Sequence, residues 1–317
     1  IARRQRQMCI RDRSLDSTSK TTTENGTVTF YTDAIIDSVS GCTNEISDGK
    51  IIIKNVTGNT TCNINVSYMK LYDKLLADNP TRSTRDTYNA VFINNTTGTL
   101  FTATEKNVHN TTDTTVYYYA GNTTNNWVKF AGYYWRIIRT NADGSIRMLY
   151  SGTSHDTTSG YINSTTYAFN TSYNSPKYVG YMYGENDDTL ANARTNTNDS
   201  TIKTAIDNWY ASNMTSYTKY LSTTAVYCND RTEKTSGTYN TGSADFDYAP
   251  YARVWSTYSP TYDCTEASDA FSGSNTSAKL TYPIALMTSD EIMRAGGKGG
   301  TSLTSPYAWY YLNSANG

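Results

Sequence analysis

The side chains of this sequence best able to do chemistry are two histidines, His109 and His155, five cysteines, and carboxylates gathered at Glu185, Asp187 and Asp188 and again at Asp245 and Asp247. A zinc centre or a catalytic triad needs partners that converge on the histidine. Both histidines stand in polar, Asn- and Thr-rich stretches with no ligand at a recognised spacing, so they read as solvated loop residues. Cys228, followed by Asn229 and Asp230, has the setting of an activated thiol, yet no histidine is near it in sequence and Cys264 is available to bridge it. Calcium favours oxygen-rich loops, but neither carboxylate run has an EF-hand register, and solvated turns are the simpler reading. The run Gly296 to Gly300, GGKGG, follows a helical pattern rather than preceding one, which makes it a C-cap and loop instead of a phosphate cradle. These readings predict no catalytic residue, no metal and no cofactor, and so no enzyme.

The cysteines serve better as staples. Cys9, Cys42, Cys62, Cys228 and Cys264 contain no CxxC spacing, while Cys42 with Cys62 and Cys228 with Cys264 form local pairs. Disulfides there would stabilise by roughly 3 to 4 kcal/mol each on chain-entropy grounds, and they require export to an oxidising compartment. Composition points the same way. Charged residues make up only 17%, and 29 tyrosines stand against seven phenylalanines. Solubility therefore rests on neutral Thr, Ser, Asn and Tyr groups, a habit of secreted and cell-surface β proteins. A net charge of −1 and a pI near 6.2 give no long-range attraction for nucleic acid or anionic lipid.

What stands out chemically is a Tyr/Asn/Ser/Gly loop palette. Tyr161, Tyr173, Tyr178, Tyr181, Tyr183, Trp255 and Tyr258 are the candidate ligand-binding residues, with Tyr167, Tyr239, Tyr248 and Tyr251 in the same loops. Such loops combine rigid amphipathic rings with adaptable hydrogen bonds, and sugar rings stack well on them. The competing reading is that the tyrosines replace Phe and Leu in a loop-rich core.

The elements that must position these loops centre on Trp127 to Gly152, WVKFAGYYWRIIRTNADGSIRMLYSG. It reads as a meander of Trp127–Phe130, Tyr133–Arg139 and Ser145–Tyr150, its last turn set by Asp143-Gly144. Large side chains on both faces predict a sheet covered on both sides. Before it, Thr27–Tyr31 and Lys50–Val56 predict strands of a small β module, and Tyr68–Leu76 a helix. Thr99–Ala103 and Thr114–Ala120 are strand candidates separated by a polar loop. After it, a long irregular segment runs from His155 to Asn198. A helix is predicted over Thr201–Ala211, capped by Asp199 or Ser200, with Ile202, Ile206 and Trp209 towards the core. A strand over Leu280–Met287 leads to a second helix over Ser289–Ala295, with Thr288 and Glu291 as a capping box and Gly296 as its stop.

The segments GNTTNNWVKFAGYYWRIIRTNADGSIRMLYSGTS, NTNDSTIKTAIDNWY, TAVYCNDR and LTYPIALMTSDEIMRAGG together resemble a family of exported proteins from gut Firmicutes and related metagenomes. The resemblance covers residues 79–317. It implies a bacterial domain of unknown function of C-type-lectin-like, formylglycine-generating-enzyme-like architecture. That family's pattern continues past Gly317, so the domain is expected to be truncated at its C-terminus, and surface attachment is implied by the resemblance alone. Residues 1–13, with RQMCIRDR, resemble translated sequencing-adapter read-through and are expected to be non-native. The expected organisation is thus α+β, mostly antiparallel β with few helices: a disulfide-stapled β module over 14–78, then a C-type-lectin-like domain over 79–317. The expected function is an extracellular binding or adhesion module for a glycan or a surface protein. A structural, pilus-like surface protein and an enzyme of the formylglycine-generating superfamily are the alternatives.

Overall fold

The computed structural model describes residues 25–31, 35–47, 50–58, 60–67, 69–93, 98–154, 160, 162, 167, 169, 180–184, 189–234, 239 and 247–299. The fold is α+β, with strands that are mostly antiparallel and helices that are few and short. The chain divides into two compact units, residues 1–77 and 78–317.

In the first unit the strands are β1 (Gly26–Tyr31), β2 (Ile35–Ser40), β3 (Thr43–Ser47), β4 (Lys50–Val56) and β5 (Asn63–Ser67), followed by helix α1 (Leu71–Asp78). The β-branched run Ile51-Ile52-Ile53 makes β4 the central strand of an antiparallel sheet ordered β1-β4-β3, and alternation buries Ile51 and Ile53 together with Val28. β2 and β5 form a separate antiparallel ribbon. Cys42, just past β2, is bridged to Cys62, just before β5, so the disulfide pins the ribbon where Ser40 faces Asn63. A unit this small gains most from such a staple.

The second unit is built on a sheet of β6 (Thr81–Ser83), β7 (Thr99–Asn107), β8 (Asn110–Tyr118), β9 (Trp127–Phe130), β10 (Tyr133–Thr140) and β11 (Ile146–Tyr150), ordered β11-β10-β8-β7-β6. All neighbours are antiparallel except β6 with β7. β10 organises it. One edge pairs with β11, and the other is shared by β9 over Tyr133–Arg136 and by β8 at Arg139. The β10–β11 turn closes as expected, with the Gly144 N–H donating to the Asn141 carbonyl at 2.9 Å and Gly144 at φ 76°. β7 and β8 run further than the sequence suggests. The polar residues between Ala103 and Thr114 are largely strand, turning at Val108-His109, because threonine is β-branched and favours the extended chain whatever its polarity.

Beyond the sheet come β12 (Met182–Tyr183), α2 (Leu190–Ala193), β13 (Asn198–Asp199), α3 (Thr201–Asn213), β14 (Tyr227–Cys228), α4 (Ala249–Ala252), β15 (Ala270–Phe271) and α5 (Ser289–Ala295). Ser200 caps α3 by accepting from the Lys203 N–H at 3.2 Å. Ile206 and Tyr210 are buried on the predicted face, while Ile202 and Trp209 are half-buried. Lys203 is buried too, held by Asp199 and Asp207 at 3.1 and 2.6 Å. The capping box of α5 forms as predicted, and Gly296 ends the helix. No strand forms over Leu280–Met287. Pro283 has no N–H to offer a ladder, and Tyr282 and Ile284 close a tight local turn instead.

Candidate functional site

A cavity of about 420 Å³ opens in the second unit among β14, β15, α4, α5 and the segment Thr261–Asp263. Its position follows from two local events. The Cys228–Cys264 disulfide joins β14 to the chain leading into β15, and β14 pairs antiparallel with β15, which fixes one wall. α4 starts with Pro250 in its first turn, then widens into a π-helical turn, Arg253–Thr257, that ends at Tyr258 with left-handed φ 49° and ψ 46°. Such turns shift side chains by one position relative to an α-helix. Here Tyr251 and Trp255 stack with centroids 6.0 Å apart and planes 28° apart. Each is 49% exposed; Tyr251 lines the cavity, while Trp255 stacks on it without lining the cavity itself.

The inner wall is charged. Arg253 grips Asp290 through two bonds of 2.7 and 2.9 Å and reaches Asp230 at 2.8 Å. Burial alone would lower the Arg253 pKa, but Asp290 and Asp230 overcome it and hold the guanidinium charged. Asp290 is placed by the first turn of α5, and also accepts the Thr261 N–H at 3.1 Å. Next to it, Glu291 ties the sheet to α5. It takes Arg139 of β10 at 3.1 Å and Arg147 of β11 at 3.2 Å, while Arg139 also bridges Glu105 of β7 at 2.6 Å. Each of these four side chains is 5% exposed or less, and Arg139 and Arg147 lie over the rings of Tyr262 and Tyr227, at 4.3 and 4.1 Å. Burial would raise the Glu291 pKa; the charges of Arg147 and Arg139 pull it instead below the ordinary glutamate range. Of this fully paired network, Arg139 and Glu291 line the cavity, with Glu105 and Arg147 behind them. Asp263 accepts the Lys106 N–H at 2.9 Å, and among the described residues no cation is within bridging distance of it. The Asn229 Nδ2 is buried in the wall with no hydrogen-bond partner.

The residues singled out from the sequence divide sharply. Trp255 is half-exposed and stacks on Tyr251 but does not line the cavity, and Tyr258 follows it at half burial with Lys298 5.6 Å from its ring. Tyr248 and Tyr251, from the same loops, line the cavity. Tyr181 also borders it, but as core: it is 5% exposed, packs on Phe271, and donates its hydroxyl to the Ile284 carbonyl at 3.1 Å. A buried hydroxyl of that kind replaces Phe with one added bond, so Tyr181 supports the wall and presents no contact surface. Tyr183 is half-buried in β12. Tyr161, Tyr173, Tyr178, His155, Cys9 and the carboxylates Glu185, Asp187, Asp188 and Asp245 lie outside the described residues. His109 hydrogen-bonds Ser272 at 3.0 Å, and Asp247 pairs with Lys234 at 3.0 Å. Arg253, Asp230, Asp263 and Asp290 were not singled out as a group, since no spacing in the sequence connects them.

Among the described residues no group of three or more His, Cys, Asp or Glu side chains is arranged to hold a metal ion, and no helix is long and apolar enough to cross a membrane. The two disulfides fit a protein of an oxidising, extracellular compartment. Compared with protein-family models, curated proteins and solved structures, the chain matches none of them.

Proposed function

We propose that this chain is an extracellular binding module, carried at a cell surface, that takes a glycan into the cavity beside Tyr251 and Trp255. The half-exposed Tyr251 on the wall of a charged cavity, with Trp255 stacked on it, carries the reading. A volume of about 420 Å³ falls in the range of roughly 300–1,000 Å³ usual for small-ligand sites. Tyr251 carries Trp255 and, 5.5 Å from its centroid, the Lys234 ammonium against its ring, so the half-exposed Trp255 supplies the apolar area for the C–H face of a sugar, and planar guanidinium and carboxylate groups such as Arg253 and Asp230 suit its hydroxyls.

A glycan array probed with the full-length, disulfide-bonded chain tests this. Saturable binding to a defined set of glycans is expected, weakened roughly five- to tenfold by Trp255→Ala, in line with about 1 kcal/mol for an aromatic contact. Because Trp255 is exposed, its loss should leave stability within about 0.5 kcal/mol. Binding that is absent from a folded sample, or indifferent to the Trp255 and Tyr251 substitutions, would overturn the reading.

A further inference from the structure

A lone exposed leucine or phenylalanine means little, because every protein surface has some, but several gathered at one concavity mark something to be covered. Among the described residues the second unit leaves five large apolar side chains exposed: Ile93, Phe169, Tyr251, Trp255 and Leu286. Three of them, Phe169, Tyr251 and Leu286, line the cavity at 39%, 49% and 40% exposure, and Trp255 stacks on one of those three. Ile93 alone stands apart.

The backbone holds these positions. The Phe169 carbonyl accepts the Thr201 N–H at 2.8 Å at the start of α3, Tyr251 belongs to α4, and Leu286 lies just before α5. Ala285 and Met287 on either side of Leu286 line the cavity too. Along this last segment the wall changes character: Ala285 to Met287 is apolar, while Thr288 to Glu291, directly after it, is polar and includes the Asp290 that Arg253 grips. The cavity thus sets an apolar strip beside an ion pair. A ligand that covers both carries an apolar group on the same small body as its hydroxyls.

We infer that this strip selects a sugar with a methyl group in place of its exocyclic hydroxymethyl; within the glycan reading, on which this rests, the ligand class is a 6-deoxyhexose. The methyl group would pack on Leu286 and Phe169 while the ring hydroxyls meet Arg253 and Asp230. A hexose would press its 6-hydroxyl against the same apolar surface without a partner. An N-acetyl group would bring a polar amide along with its methyl.

The experiment titrates the full-length, disulfide-bonded chain with two matched pairs of glycosides: methyl α-L-fucoside against methyl α-L-galactoside, and methyl α-L-rhamnoside against methyl α-L-mannoside. Within each pair only the C5 substituent differs, methyl or hydroxymethyl. Tighter binding of at least one deoxy sugar than of its partner, by about threefold or more, is expected from burying one methyl group. Raising salt should leave the ratio unchanged, because no charge sets it. Leu286→Ala and Phe169→Ala should each bring the ratio down towards one; both side chains are exposed, so the variants should keep the native fold, checked by an unchanged denaturation midpoint. Equal or tighter binding of both hydroxymethyl sugars would overturn the deoxy preference and leave the glycan reading standing. Tighter binding of methyl N-acetylglucosaminide than of either deoxy sugar would overturn it too, giving the strip to an acetyl group. A deoxy preference unmoved by both variants would overturn its assignment to this strip. Failure of all these sugars to bind would also overturn the inference, and the array result then decides the broader reading separately.

Discussion

Glu291 carries an unusual share of the second unit's electrostatics. One carboxylate neutralises two buried guanidinium groups from adjacent strands, and its other oxygen accepts the Thr288 N–H at 2.9 Å. Glu291→Gln leaves Arg139 with Glu105 alone and Arg147 with no counter-charge. Removing one member of such a network typically costs about 3–5 kcal/mol, and urea denaturation at neutral pH should show a loss of that size. The sign with pH follows from the depressed pKa of Glu291. A carboxylate whose folded pKa lies below its unfolded one contributes its stability above the unfolded value and loses it as pH falls through the folded one. The native chain should therefore weaken on acidification below the ordinary glutamate range, and the variant should show a shallower acid limb. Some slope will remain. Asp143 has the same sign: burial would raise its pKa, but hydrogen bonds from Ser145, Ser222 and Thr224 depress it.

At the scale of the element, α5 shows what local sequence can specify. Thr288 accepts the Glu291 N–H at 3.1 Å and Glu291 answers to the Thr288 N–H, a box closed by residues three apart. Thr288→Ala should cost about 1 kcal/mol, read from the shift in denaturation midpoint. The other end is stricter. Gly296 has φ 132°, and an added Cβ would lie 2.3 Å from the Phe92 carbonyl oxygen, a backbone atom that cannot swing aside. Gly296→Ala should therefore exceed the cap in cost, at more than about 2 kcal/mol by the same measurement. Caps, the Asp143-Gly144 turn and the meander were legible because each is satisfied by near neighbours. The expected strand over Leu280–Met287 was misled by apolar content, where Pro283 decided the outcome. The cavity wall was illegible for a different reason. Arg253 meets Asp290 across 37 residues and Arg139 meets Glu291 across 152, and charge pairs at such separations have no periodicity to read. Trp255 could be picked out by type, whereas Tyr181 could not be told from it without burial.

For the molecule as a whole, the two disulfides at Cys42–Cys62 and Cys228–Cys264 are the features that sequence spacing anticipated most directly. Each closes a short loop, of 20 and 36 residues, and the associated stabilisation is about 3 to 4 kcal/mol. Replacing Cys228 and Cys264 together with serine should lower stability by about that amount, measured by denaturant unfolding beside an oxidised control. Adding reductant to the native chain opens Cys42–Cys62 as well, so its loss should be at least as large. An unchanged midpoint in both cases would mean that the Cys228–Cys264 wall is held by its hydrogen bonds and packing alone.

The same bridge sets the route by which a load on the cavity wall would reach the sheet. The Cys264 N–H donates to the Lys106 carbonyl at 2.8 Å, and Asn107 pairs with Cys264 in parallel, so the wall of the cavity is fastened to the end of β7. Tension applied to a molecule held in the cavity would leave β14 through a sulfur–sulfur bond and enter β7, where the long pairing with β8 spreads it over a ladder of hydrogen bonds. The cavity wall is thus tied covalently and through the backbone to the long β7–β8 ladder.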